Sequence, residues 1–187
     1  TTYTTTYTVG SSDSGSVTFT IDASDIAGND ATQVTSTTNS SAVTTDTTAP
    51  TISSSSLSSD NTSITITFSE DVYNASTGSG ELETSDFTVS IANGSATSPS
   101  FTAISKVSQS VYDLSLSITG SADGAETLTI NPASSAIFDQ AGNVASISQS
   151  NNTATMNDEL TPSLTTVDLS SNNSIKTNYA GADDVIS

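Results

Sequence analysis

"ETLTINPASSAIFDQAGN", residues 126–143, decides how this chain is read. Its first part alternates Thr127 and Thr129 with Leu128 and Ile130, the period-2 pattern of a half-buried strand. It ends in Asp139-Gln-Ala-Gly-Asn143, the residues of a tight turn. The Asp accepts from its own backbone, the Gly takes positive φ and the Asn tolerates the left-handed region. The same order stands earlier in "SVTFTIDASDIAGN" (16–29).

The residues after each copy match as well. "TSTTNSSAVTTDTTAPTI" (35–52) and "SISQSNNTATMNDELTPSL" (146–164) each run from Asn/Ser through a short strand-like piece to an Asp and then a Pro. Asp25 and Asp139 stand 114 positions apart, and Pro50 and Pro162 stand 112 apart. "LSSDNTSI" (57–64) is echoed in "LSSNNSI" (169–175). The chain therefore carries an internal repeat with a period near 112 residues. Residues 50–161 form one complete unit. Residues 1–49 are the C-terminal part of a preceding unit, and 162–187 the N-terminal part of a following one.

Only 33% of the residues are hydrophobic, so disorder is the first alternative. Patterning argues against it. "VTFTI" (17–21), "ITITF" (64–68), "FTVSI" (87–91) and "YDLSLSI" (112–118) all alternate, and Thr suits a pleated surface through its β-branch. The complete unit predicts seven strands, near 51–57, 62–68, 86–91, 100–105, 111–119, 126–131 and 152–157. The expected fold is all-β: tandem Greek-key β-sandwiches, one complete and a partial one at each end. Its inward face would hold Ile64, Ile66, Phe68, Phe87, Val89, Ile91, Tyr112, Leu114, Leu116, Ile118, Leu128 and Ile130. In the first fragment Tyr3, Tyr7, Val9, Val17, Phe19 and Ile21 would do the same. Neither end fragment should bury a sandwich core by itself. Neighbouring chain or another copy would complete them, or they would pack as lopsided halves.

Charge and residue inventory exclude several functions. The chain has 20 acidic residues against Lys106 and Lys176, a net charge of −18. That disfavours nucleic acid and anionic lipid as partners. No apolar run approaches the ~20 residues of a membrane helix, and any signal peptide is expected outside this segment. Without cysteine there is no disulfide, and the redox compartment stays open. With no His, Cys or Arg there is no Ser-His triad, thiolate nucleophile, His-ligated zinc or arginine clamp. Glu70 and Asp71 in "SEDV" are adjacent strand residues, pointing to opposite faces. They suit a polar strand end or a metal ligand better than paired-acid hydrolysis. Lys106 reads as a solvated lysine rather than an isopeptide donor. Six Asn-x-Ser/Thr sequons are no more than the composition would produce.

At "TTDTTAPTI", "ITFSEDV", "SDFTVSI" and "FDQAGN" the chain resembles the bacterial immunoglobulin-like tandem repeats of large secreted surface adhesins. The resemblance implies a secreted, elongated, non-enzymatic protein at a bacterial cell surface or in an extracellular filament. It also implies calcium near the domain junctions. On that resemblance Asp25 and Asn29, or Asp139 and Asn143, would bind it with the linker carboxylates Asp46 and Asp158. The bland alternative is a plain Asx turn, since no "DxDxDG" or "GGxGxD" loop is present. A shortage of protein cations is the physical support for the metal. "DTTAPT" (46–51) and "DELTP" (158–162) read as stiff linkers, because proline fixes φ and restricts the residue before it.

Expected partners are neighbouring repeats of the same protein, or other copies in a filament. The leading expectation is a spacer or stalk. The alternatives are an adhesive module binding glycan or protein through loops such as "NASTGSGELETSD" (74–86), and a filament subunit completed by strand addition.

Overall fold

The computed structural model describes residues 3–174, 176, 178–183, 185 and 186. Thr1, Thr2 and Ser187, at the limits of the two end segments, and Ile175 of the echoed stretch 169–175 lie outside the described residues. In chain order the strands are β1 (Gly15–Ser16), β2 (Thr44–Thr45), β3 (Ile52–Leu57), β4 (Ser63–Phe68), β5 (Phe87–Ala92), β6 (Thr97–Ser108), β7 (Val111–Thr119), β8 (Thr127–Pro132) and β9 (Thr153–Thr155). Every pairing between them is antiparallel. Among the described residues no helix is long and apolar enough to cross a membrane.

β3 to β9 form two sheets, ordered β3-β4-β7-β6 and β5-β8-β9. This is the four-plus-three strand order of a constant-type immunoglobulin sandwich. Alternation explains which side chains meet. In β4, β7 and β8 every second residue points inward, so Ile64, Ile66, Phe68, Tyr112, Leu114, Leu116, Leu128 and Ile130 are all buried. Phe87 of the second sheet meets Phe68 and Phe101 of the first at ring separations of 6.2 and 6.3 Å, which ties the sheets together. Val89, Ile91 and Ile118 pack partly buried against this core, and Val72, Leu82, Ile137 and Met156 close its ends. β6 lies at a sheet edge with three register shifts, Pro99 and a lysine, features that discourage further pairing.

The expectation for the first segment is corrected. Tyr3, Tyr7, Val9, Val17, Phe19 and Ile21 do not face a core: their exposures run from 37% at Phe19 to 90% at Tyr3. "VTFTI" is no strand, and among the described residues the β1–β2 ladder and the Ile21–Val34 and Ser24–Asp30 bridges are what remains of the sheet there. The reason is geometric. A strand's inner face stays buried only when a second sheet covers it, and residues 3–49 supply none. The other end resembles it, with Leu164 and Leu169 exposed and, among the described residues, one isolated bridge, Ser171–Ile186.

Candidate metal centre

The turn that closes the sandwich is built by its own aspartate. Asp139 Oδ1 accepts the Asn143 backbone N–H at 2.8 Å, and Oδ2 accepts the Asn143 side-chain amide at 2.6 Å. Asp139 N–H donates to Asn143 O at 3.1 Å, and Gly142 N–H donates to Asp139 O at 3.3 Å. Gly142 has φ +90, and a Cβ there would lie 2.6 Å from Ser76 O. Gly78, at φ +66, meets Gln140 O just as closely. The 74–80 loop therefore lies directly on the turn, and only glycine fits at either contact.

The earlier copy has the same construction. Asp25 Oδ1 accepts Asn29 N–H at 2.9 Å, Oδ2 accepts its amide at 2.8 Å, and Gly28 has φ +89. Ala31 donates to Ala23 O as Ala145 does to Ile137 O. The linkers repeat as well: Thr48 N–H donates to Asp46 Oδ1 at 2.9 Å, and Leu160 N–H donates to Asp158 Oδ1 at 2.8 Å.

Three carboxylates converge beside the 46–51 stretch. Asp46 of the linker, Glu70 just beyond β4 and Asp139 of the turn each bring an oxygen to within 4.8 Å of the others. Asp46 is exposed, Glu70 half-buried and Asp139 fully buried. Burial pushes the Glu70 carboxyl above its usual range, and the charges of Asp139, Asp46 and Asp71 push it further. Neither lysine relieves the repulsion. Lys106 pairs with Glu81 at 3.3 Å, and Lys176 lies over the Tyr179 ring. A donor set made only of carboxylate oxygen fits a hard divalent cation such as calcium and suits soft or imidazole-seeking metals poorly.

Of the residues expected at a metal site, the fold brings together Asp46, Asp139 and Asn143 and adds Glu70. Asp25 and Asn29 bond to each other and join no such cluster among the described residues. Asp158 does not join Asp139. It stands beside Gly124, next to Asn157, whose N–H donates to Asn61 in the β3–β4 hairpin at the opposite end of β4.

Sequence reading missed Glu126. This fully buried acid accepts N–H groups from Ser95 and Ala96 on Oε1, each at 2.8 Å, and from Asp123 and Gly124 on Oε2, each at 3.1 Å. These backbone donors, Ala96 first, hold its carboxyl down at about 2. It locks two loops together, with no free oxygen face for a ligand. A depression of about 580 Å³, lined by Tyr7, Asp13, Val17 and Phe19 among others, lies on the uncovered face of the first segment rather than at the acidic cluster. Comparison with protein-family models, curated proteins and solved structures gives no match.

Proposed function

We propose that this chain is a non-enzymatic spacer segment of a bacterial cell-surface adhesin or extracellular filament. In this reading it is a run of immunoglobulin-like sandwiches in tandem: the end of one (1–49), a complete one (50–161) and the start of another (162–187). One observation carries it. The Asp25 and Asp139 turns share their hydrogen bonds and glycine conformation, so the chain builds the same corner twice around one sandwich. The acidic, almost cation-free composition and the absence of His, Cys and Arg support a mechanical rather than a chemical role. The Asp46–Glu70–Asp139 cluster is where calcium would draw the linker onto the sandwich.

Small-angle scattering tests the spacer. A compact globule of this length has a radius of gyration of about 16 Å, and the tandem reading requires a clearly larger value with a rod-like profile. A globular profile removes it. Melting in calcium and in chelator tests the metal, which predicts a higher midpoint with calcium.

Self-assembly by strand addition is the second reading. Large exposed apolar side chains crowd the end segments, whereas residues 50–161 expose only Val107, Val144, Ile147 and Leu160 among the described residues. Sedimentation as a monomer at every concentration would eliminate it. Binding through the 74–86 loop is weakened by the packing of Gly78 and Leu82.

A further inference from the structure

The linker between the first segment and the sandwich is hydrogen-bonded on both sides. Thr47 Oγ1 donates to Ser11 O and Asp13 O of the preceding segment, each at 3.1 Å. From the sandwich, Asn143 Nδ2 donates to Asp46 O at 3.1 Å and reaches Thr48 O at 3.5 Å. The amide orientation is fixed by its surroundings. Nδ2 meets three acceptors, Asp139 Oδ2 and the two linker carbonyls, and a flipped amide would set its oxygen against all three.

The second linker is also tied to the residues before it, by a different bond. Glu159, the counterpart of Thr47 at a spacing of 112, donates its N–H to Ala122 O at 2.9 Å in the sandwich before it. At the other end, Asn29 repeats the turn bond to Asp25, yet none of its hydrogen bonds reaches a linker. Thus the bond to the preceding unit appears at both linkers. The bond to the following unit appears where a complete following unit exists.

We propose that Asn143 is a positioning residue that clamps the linker and sets the orientation of one unit against the next without any metal. By gripping the carbonyls on either side of Thr47 it holds the Asp46 carboxylate beside Glu70 and Asp139. Its role is that of a donor to backbone, not an oxygen ligand. The inference rests on the spacer reading only in treating 1–49 and 50–161 as neighbouring units, and it stands whether or not calcium binds.

The chain has no cysteine, so two can be introduced for spin labels at the exposed positions Thr35 and Ser90, one on each unit. Inter-label distance distributions are recorded on the full chain, in chelator and in calcium, for the doubly labelled parent and for Asn143→Ala, Asn143→Asp and Asn29→Ala in that background. The clamp predicts a narrow distribution for the parent in chelator and loss of the narrow component in Asn143→Ala. Asn143→Asp loses it too, because a carboxylate cannot donate; an oxygen ligand would keep or tighten the distribution in calcium. Asn29→Ala breaks the same turn bond away from the linker and leaves the distribution unchanged. A parent already broad in chelator overturns the clamp, as does an Asn143→Ala distribution as narrow as the parent's. A calcium response that is absent everywhere, with the chelator pattern as predicted, removes the metal and leaves the clamp standing. Circular dichroism melting of each variant shows whether the sandwich is intact; should Asn143→Ala unfold, Asn143→Ser, which keeps a short donor out of reach of Asp46 O, takes its place with the same expected loss.

Discussion

Replacing Glu70 with Gln removes one negative charge from a group of three and leaves its shape almost unchanged. Two unit charges 4.8 Å apart, the outer limit of this cluster, repel by about 0.9 kcal/mol in bulk water and about 3.5 kcal/mol at an effective dielectric of about 20. Glu70 is half-exposed, so water screens it and the lower figure governs. With Asp46 and Asp139 as neighbours, E70Q should relieve roughly 2 kcal/mol of repulsion in chelator. For a domain of this size that raises the midpoint by roughly 8 °C. Calcium reverses the order. At 100 times its dissociation constant a bound ion stabilises the wild type by about 2.7 kcal/mol, and E70Q, lacking one anionic ligand, should keep less than about a quarter of that shift. The assay is differential scanning calorimetry of both proteins in each condition. A crossing of the two proteins' stabilities is the signature. If E70Q melts no higher than wild type in chelator, the carboxylates do not repel as their spacing requires. If both gain equally from calcium, the ion binds elsewhere.

Three further comparisons use the internal repeat and the buried acid. Gly142→Ala should cost about 3 kcal/mol or more, combining left-handed strain with the clash on Ser76 O. Gly28→Ala, in the same turn with open space around it, should cost about 1, as read by urea unfolding. Leu128→Ala should destabilise the sandwich by about 2–5 kcal/mol, whereas Phe19→Ala, its counterpart in the uncovered segment, should change the main transition by less than about 0.5. Glu126 has a folded pKa lowered from 4.5 to about 2, so its stabilisation is complete above 4.5 and is lost as pH falls toward 2. Glu70 is raised, so its contribution runs the other way: stability is gained as pH falls through its folded pKa. Midpoints measured against pH in chelator should therefore rise on mild acidification and fall below about pH 4, and Glu126→Gln should remove much of that acid limb.

Legibility in the sequence depends on how local each signal is. Strands such as "ITITF" and "YDLSLSI" announce themselves by alternation, and their inward residues are the buried ones. Ile52, Val72, Leu82, Ile137 and Met156 are equally buried but stand at strand ends or in loops, where no period marks them. Within "ISSSSL" (52–57), four serines give no alternation, yet the strand expected near 51–57 forms there, its register fixed by pairing to β4. The metal candidates were half legible. Asp139 and Asn143 belong to one recognisable turn, whereas the meeting of Asp46, Glu70 and Asp139 depends on which ends of two sheets come together. Glu126 looked like any solvated acid, since the amides around it belong to residues with no distinguishing side chains.

With calcium bound at the carboxylate cluster, two holds would act on the 46–51 linker, and ions would separate them. The Asn143 bonds to the linker run between an uncharged amide and carbonyls, so salt leaves them nearly unaffected. The carboxylate cluster responds strongly, because the Debye length falls from about 30 Å at 0.01 M to about 3 Å at 1 M. In chelator, added sodium chloride screens the repulsion around the exposed Asp46 and should firm the junction, while the fully buried Asp139 is screened less. In calcium the same salt weakens attraction between cation and carboxylates, so it should loosen the junction toward the cation-free state. The two salt series must therefore converge from opposite sides on the stiffness that hydrogen bonds alone maintain. Convergence on a fully flexible linker would mean that the amide contributes nothing, and parallel series would mean that charge plays no part in holding the units together.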